Sequence, residues 1–148
     1  MAYEAELLLR VFIAGILSGT LGWERQSAGK PAGFRTHVLV GMAACLFVVA
    51  GEAAALQYPA SATSVRIEPF AIIQAVAVGI GFLGSGVVFV PRDANRVSGL
   101  TTAASIWATA AIGLTVGFSR YLLAAGTTLL LLITLRVLAR FDRTHPHE

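Results

Sequence analysis

Charged residues are scarce in this 148-residue chain, in which Asp, Glu, Lys and Arg together make up 13% and hydrophobic residues 56%. Soluble domains usually carry about 25% charged residues, so the composition argues against a water-soluble fold. The 11 Lys and Arg punctuate long apolar runs and form no basic patch, whereas a protein that binds nucleic acid needs such a patch. The sequence therefore predicts an integral membrane protein whose partner is the lipid bilayer and not a nucleic acid.

Groups that serve catalysis or metal binding are also few. Cys45 is the single cysteine, which excludes an intrachain disulfide and a cysteine-based metal cluster. The chain has no Ser-His-Asp set, no HExxH motif and no pair of carboxylates at a plausible spacing, so we expect no enzyme. Mg²⁺ favours carboxylate oxygens in near-octahedral geometry, and Glu24 is the only carboxylate within a motif. Glu24 is thus the sole candidate metal ligand, and without a ligand set we predict no cofactor.

Long apolar runs, by contrast, fill most of the sequence. A helix needs about 20 mainly apolar residues to cross a bilayer core of about 30 Å. Five stretches approach that length, at residues 7–23, 38–56, 70–90, 100–118 and 121–141. The predicted fold is an all-α, five-helix transmembrane bundle that forms a single domain over residues 1–148.

Basic residues are distributed unequally between the two sides of the predicted bundle. One side has only Arg10, Arg66 and Arg120. The other eight lie in the loops after helices one and three and in the tail: Arg25, Lys30, Arg35, Arg92, Arg96, Arg136, Arg140 and Arg143. Because cytoplasmic loops of membrane proteins carry an excess of Lys and Arg, the eight mark the cytoplasm. The odd number of helices then predicts an external N-terminus and a cytoplasmic C-terminus.

The two halves of the sequence resemble each other. Gly19-Thr20-Leu21-Gly22 in helix one corresponds to Gly81-Phe82-Leu83-Gly84 in helix three. Each is followed by a basic loop and then by a similar start of the next helix, at residues 33–36 and 99–102. This repeat predicts two tandem αα-hairpins, related by an axis along the membrane normal, plus a fifth helix. The alternative is chance, since small residues recur in membrane helices.

Four glycines fall close together in helix three: Gly79, Gly81, Gly84 and Gly86. Their spacing matches the dinucleotide fingerprint only as a string, since that motif must join a strand to a helix and here lies in an uncharged apolar run. One interpretation is close helix packing, because small residues let membrane helices approach each other. The other is an unwound segment whose backbone carbonyls form a cation pathway.

A group of polar residues gathers where helix one ends and helices two and four begin. Its members are Glu24, Arg25, Arg35, Thr36, His37, Thr101, Thr102 and Ser105. Ionisable groups at membrane depth are costly, so they tend to pair or to mark function. In one interpretation Glu24 caps helix two or four and pairs with Arg25 or Arg35, which fixes this end of the bundle. In the other the same residues form a site for a ligand or a partner.

Four motifs in this order resemble the MgtC/SapB family: residues 22–25, 30–37, 79–86 and 99–105, within a match from about 7 to 117. The resemblance implies a bacterial inner-membrane protein linked to adaptation to low magnesium and, in pathogens, to survival inside macrophages. Ser98 stands where the family usually has a basic residue. The chain ends at Glu148 without the cytoplasmic C-terminal domain of the virulence-associated members, so it resembles the short, SapB-like branch.

Members of that family were once thought to transport Mg²⁺ and are now better regarded as regulatory. We therefore expect a protein of magnesium or ion homeostasis, or of stress adaptation, that acts through contact with other membrane proteins. A homo-oligomer is a further expectation. The alternatives are a transporter or channel for Mg²⁺ or another cation, and a lipid-binding scaffold that uses the eight cytoplasmic basic residues.

Overall fold

The structure, a computed structural model, describes residues 1–57, 68–88 and 97–144, with side chains as far as Val137. These residues form five helices and no strand: α1 Ala2–Ser27, α2 Phe34–Gln57, α3 Pro69–Val87, α4 Leu100–Gly117 and α5 Tyr121–Thr144. By length and composition α1 to α4 can each cross a membrane, and α5 adds a shorter apolar segment, Tyr121–Val137. The prediction of an all-α membrane bundle is confirmed.

Several helices extend beyond the apolar stretches that predicted them. Helix α1 continues past both ends of residues 7–23, and α2 begins four residues before 38. Glu, Arg and Gln favour helix almost as well as Leu, so polar residues at the edge of an apolar stretch continue the helix. Helix α3 instead ends at Val87, because Val88 is extended, with φ −91° and ψ 122°. All eight residues of the predicted polar cluster therefore lie in helices.

Helix α4 lies at the centre of the bundle and contacts the other four helices. Helix α2 packs along α1 and α4, α5 packs on α4 and α1, and α3 packs on α4 and more loosely on α2. Buried side chains form two clusters, one shared by α1, α2, α4 and α5 and the other by α2, α3 and α4. The tight core is therefore α1, α2 and α4, with α3 and α5 outside it.

Glycines allow the three core helices to approach each other closely. A Cβ atom on Gly113 of α4 would collide with the backbone carbonyl of Gly41 on α2 and would lie 2.9 Å from Cβ of Ala44. A Cβ atom on Gly22 of α1 would lie 2.7 Å from Cα of Phe34 on α2. Contact of this kind through small residues is the usual basis of helix association in lipid.

The predicted repeat is visible in the packing. Gly22 of α1 lies against His37 of α2, and Gly84 of α3 lies against Ala103 of α4. His37 and Ala103 occupy the same position of the repeat, four residues after Gly33 and Gly99. Helices α1 and α4 contact each other, as do their counterparts α3 and α2, though more loosely. These contacts support two hairpins of like topology, with α5 as the additional helix.

Candidate functional site

Five of the eight residues of the predicted polar cluster are brought together. Glu24, Arg25, His37, Thr102 and Ser105 are buried, with Arg25 3% and His37 0% exposed. They lie where α1 ends and α2 and α4 begin, which we call the Glu24 end of the bundle. The other three, Arg35, Thr36 and Thr101, are exposed. The candidate site is therefore the buried five, shared by three helices.

His37 connects α2 to α4 through polar contacts at the site. Its Nδ1 lies 2.9 Å from the carbonyl of Gly33, and its Nε2 lies 3.2 Å from Oγ of Ser105 on α4. Because a carbonyl only accepts, Nδ1 must carry a proton. The Ser105 hydroxyl donates to the Thr102 carbonyl at 2.8 Å, so its single proton cannot also serve Nε2. The contact between Nε2 of His37 and Oγ of Ser105 joins α2 to α4. Whether it is a hydrogen bond depends on the protonation of the imidazole and on the direction in which the hydroxyl donates.

Glu24 and Arg25 form a buried pair whose hydrogen-bonding capacity is only partly used. Nη1 of Arg25 lies 3.6 Å from Oε2 of Glu24. Among the described residues, Oε2 of Glu24 and Nε and Nη2 of Arg25 have no hydrogen-bond partner. An unsatisfied buried donor costs about 1–3 kcal/mol, and more when charged. The free Nε–Nη2 edge could donate two parallel hydrogen bonds to a carboxylate or phosphate.

Glu24 does not cap a helix, which corrects that part of the prediction. The first amide of α2, on Phe34, donates to Oε1 of Gln26 at 3.2 Å. Helix α4 has Gly99 at its N-cap, with no side-chain cap hydrogen bond and no acidic residue in its first turn. Gly99 has φ +88°, and a Cβ atom there would collide with the Val87 carbonyl. Glycine is required at this position, because it is both left-handed and in contact with the end of α3.

A second ionic cluster, not predicted from the sequence, lies at the opposite end of the core, which we call the Arg10 end. Nη1 of Arg10 lies 2.6 Å from Oε2 of Glu52 on α2, and Nη2 lies 2.6 Å from Oε1 of Glu6 on α1. Nη1 also donates to the Gly117 carbonyl at 3.3 Å, at the C-terminus of α4. Arg10 is 7% exposed, and its guanidinium links α1, α2 and α4. Only the spacing of Glu6 and Arg10, four residues apart on one helix, indicated this pairing.

The glycines of α3 are neither unwound nor, for the most part, packed. Helix α3 is continuous from Pro69 to Val87. A Cβ atom on Gly79, Gly81 or Gly86 would meet no atom within 4 Å, and only Gly84 has a neighbour, Cβ of Ala103 at 3.6 Å. Among the described residues of one copy, α3 is not unwound, and close packing is present at Gly84 alone of the four glycines. Three of the four glycines face open space, because α3 lies at the periphery of the bundle.

Beside these glycines is an open cavity of about 800 Å³ between α2 and α3. Its walls are apolar along almost their whole length, from Leu39 to Gly51 on α2 and from Ala71 to Leu83 on α3, and Glu68 lies at one end. We call this cavity the α2/α3 groove. Elsewhere in the described part of the chain, no three His, Cys, Asp or Glu side chains come together as metal ligands. Glu24 has Arg25, not a second carboxylate, beside it.

The fold and its buried polar site define a multi-pass helical membrane protein built on two hairpins. A family model described as the MgtC family matches residues 11–144. The chain belongs to this family, as the four sequence motifs predicted.

Three relatives illustrate the similarity. YhiD of Escherichia coli K12, which is named as a candidate magnesium transporter, is 42% identical over 90% of this chain and 60% of its own length. SapB of Bacillus subtilis is 32% identical over 91% of this chain and 57% of its own length. MgtC of Salmonella typhimurium LT2 is 34% identical over 84% of this chain and 49% of its own length. The chain thus spans about half to three fifths of these relatives. No solved structure matches it significantly.

Proposed function

We propose that this chain is a regulatory membrane protein of magnesium homeostasis that acts by contact with other membrane proteins and has no enzymatic activity. In this proposal it resides in the bacterial inner membrane, with the Glu24 end in the cytoplasm and the N-terminus outside. Membership of the MgtC family and the name of the E. coli relative support the link to magnesium. The basic residues Arg66, Arg92 and Arg96, which contribute to the proposed orientation, lie outside the described residues.

One observation carries the choice of contact over transport: the glycine-rich helix α3 is peripheral and unbroken, with Gly79, Gly81 and Gly86 open to the outside. Bare glycine surfaces on a membrane helix let a second helix approach closely. In a continuous α-helix each carbonyl accepts a bond from the amide four residues ahead. The carbonyls of Gly79 and Gly81 are therefore engaged within α3 and are poorly suited to coordinate a cation.

The buried cluster gives the proposed regulator a place to respond. Glu24 and Arg25 lie where α1, α2 and α4 meet, and His37 connects α2 to α4 through Ser105. Side-chain rearrangement at this point would shift three helices that pack against each other with little free space. Coupling of this kind requires an element with two discrete arrangements. The unused hydrogen-bonding atoms of Glu24 and Arg25 make a second arrangement accessible.

Two measurements with the same variants test the proposal. Purified protein in liposomes is expected to give no Mg²⁺ flux above that of protein-free liposomes. In a strain that lacks the gene, the wild-type chain is expected to restore growth at low magnesium and Glu24→Gln is expected to fail. Glu4→Gln is the matched control. Glu4 is exposed, and its Oε2 lies 3.9 Å from the N-terminal amine, which is exposed as well. Its growth should equal that of the wild type, and both variants should reach the membrane in equal amounts.

The name of the E. coli relative favours Mg²⁺ transport as the second candidate function. The flux measurement separates the two. Protein-dependent Mg²⁺ flux that Glu24→Gln abolishes and Glu4→Gln preserves would establish the transporter and overturn the regulator.

A further inference from the structure

The α2/α3 groove has a counterpart on the other side of the bundle. The repeat relates α1 to α3 and α2 to α4, as the pairs Gly22–His37 and Gly84–Ala103 show. Helix α5 packs on α4 and α1. The surface that α5 covers is thus formed by α1 and α4. In the repeat, the counterparts of these two helices are α3 and α2, and the surface between α3 and α2 is the groove. One of the two equivalent surfaces is therefore covered by a helix, and the other is left open by the residues that the structure describes.

We propose that the α2/α3 groove receives helix α5 of a second copy of this chain, so that copies associate head to tail in the membrane. This inference goes beyond the proposed function, because it holds for a regulator and for a transporter alike. It identifies the occupant from the chain itself, since α5 already covers the equivalent surface of its own copy.

The dimensions of the two partners agree. The α3 wall of the groove runs from Glu68 to Leu83, about 22 Å at 1.5 Å per residue. The apolar segment of α5, Tyr121–Val137, is about 24 Å long by the same rise. On the α3 wall, Ala71, Ala75 and Gly79 recur every four residues. Small residues at this spacing let a membrane helix approach the backbone.

Helix α5 has one face free to enter the groove. Its inner face is occupied within its own copy, where Ala124 is 0% and Thr128 4% exposed. Its outer face is open, and a Cβ atom on Gly126 would meet no atom within 4 Å. Large apolar side chains surround that glycine and are exposed: Leu122, Leu129, Leu130 and Ile133. In the proposed contact, large side chains on the outer face of α5 would therefore meet small residues on the α3 wall of the groove.

Charge sets the register of this contact. Glu68 is exposed and lies at the end of the groove where α3 begins. Arg120 is also exposed and directly precedes α5. Helices α3 and α5 begin on the same side of the bundle, because only α4 separates them in the chain. A second copy in the same membrane orientation therefore places its Arg120 at the level of Glu68.

The outer face of α5 and the groove lie on different sides of one copy, so the contact is heterologous. Such contacts produce rings when the rotation closes and open rows when it does not. In a two-fold dimer the two grooves would instead face each other, and helix α5 would not enter either of them. The two arrangements are distinguished by which pairs of cysteines crosslink.

Disulfide crosslinking of the full chain in native membranes tests the proposal. Cys45 is fully buried and is replaced by Ser, which gives a cysteine-free background. One tagged copy carries Ala75→Cys in the groove, and a differently tagged copy carries Gly126→Cys on α5. Oxidation with copper phenanthroline is expected to join the two tags. The matched control is Val78→Cys on the same helix, which is 77% exposed and lies outside the groove, and it is expected not to crosslink with Gly126→Cys.

Further results decide between arrangements. A chain with both Ala75→Cys and Gly126→Cys should give a ladder of dimers, trimers and higher species. Glu68→Arg should lower the crosslinking yield by roughly twofold to fivefold, as for loss of an exposed ion pair, and Arg120→Glu in the partner should restore it. Three outcomes would overturn the proposal. They are no mixed crosslink between properly inserted chains, equal crosslinking at Val78→Cys, and a dimer of Ala75→Cys alone, which would mean that groove faces groove.

Discussion

Substitution of Gly113 by alanine is expected to separate two core helices. The added Cβ atom would collide with the Gly41 carbonyl on α2 and lie 2.9 Å from Cβ of Ala44. Neither neighbour can move aside as a flexible side chain can, because one is backbone and the other is fixed to it. The helices must therefore shift apart along a contact that involves α2 and α4, the centre of the core.

The size of the effect follows from the cost of overpacking. Adding one methyl group to a well-packed interior costs typically about 1–3 kcal/mol, and a clash with backbone belongs near the upper limit. A loss of about 2–3 kcal/mol lowers the melting temperature of a chain of this size by about 5–10 °C. Gly81→Ala is the matched control, since its Cβ atom would meet nothing within 4 Å. Alanine favours helix over glycine by up to about 1 kcal/mol, so this variant should be unchanged or slightly more stable.

The assay is thermal unfolding of both variants and the wild type in one detergent, followed by the helical circular dichroism signal. The expected order of stability is Gly81→Ala, then wild type, then Gly113→Ala. Equal melting temperatures for Gly113→Ala and Gly81→Ala would refute the close approach of α2 and α4, and with it the division into a tight core and peripheral helices.

Two further predictions concern the ionic clusters and use the same assay. Arg10→Leu leaves Glu52 and Glu6 without their 2.6 Å partner, and we expect a loss of about 1–3 kcal/mol. The exposed control Glu4→Gln should change stability by less than about 0.5 kcal/mol. A melting temperature of Arg10→Leu equal to that of the wild type would contradict the link between α1, α2 and α4. Arg25→Met leaves the buried Glu24 without a counter-charge, at a cost of about 3–5 kcal/mol. Adding Glu24→Gln should recover part of that loss, and additive costs in the double variant would disprove the coupling.

The membrane fold was predictable because it depends on the length of continuous apolar stretches, which can be counted in the sequence. The α2 stretch, for instance, contains one charged residue between positions 38 and 56. The Arg10–Glu52 pair was not predictable, because the partners are 42 residues apart and meet only through the register of α1 against α2. Close contacts all along the hairpin, from Gly22 against Phe34 to Gly15 against Met42, fix that register.

Five of the eight residues of the predicted polar cluster are buried together, and Arg35, Thr36 and Thr101 are exposed. Thr101 is exposed and Thr102 is buried, since adjacent residues point about 100° apart around a helix of 3.6 residues per turn. The sequence contains both threonines and gives no rotation for α4 about its axis. Gly79 and Gly113 likewise look alike in the sequence, yet one faces open space and the other a backbone carbonyl. Which face of a helix is covered depends on its neighbours, which only the fold provides.

The contact between Gly99 and the Val87 carbonyl has a consequence for the segment that joins α3 to α4. It holds the two ends of that connection together, so the end of α3 and the start of α4 are positioned by direct contact with each other. A connection whose ends already meet can change in length at little entropic expense. We therefore expect this segment to be the preferred place for insertions and tags, as long as glycine is kept at position 99.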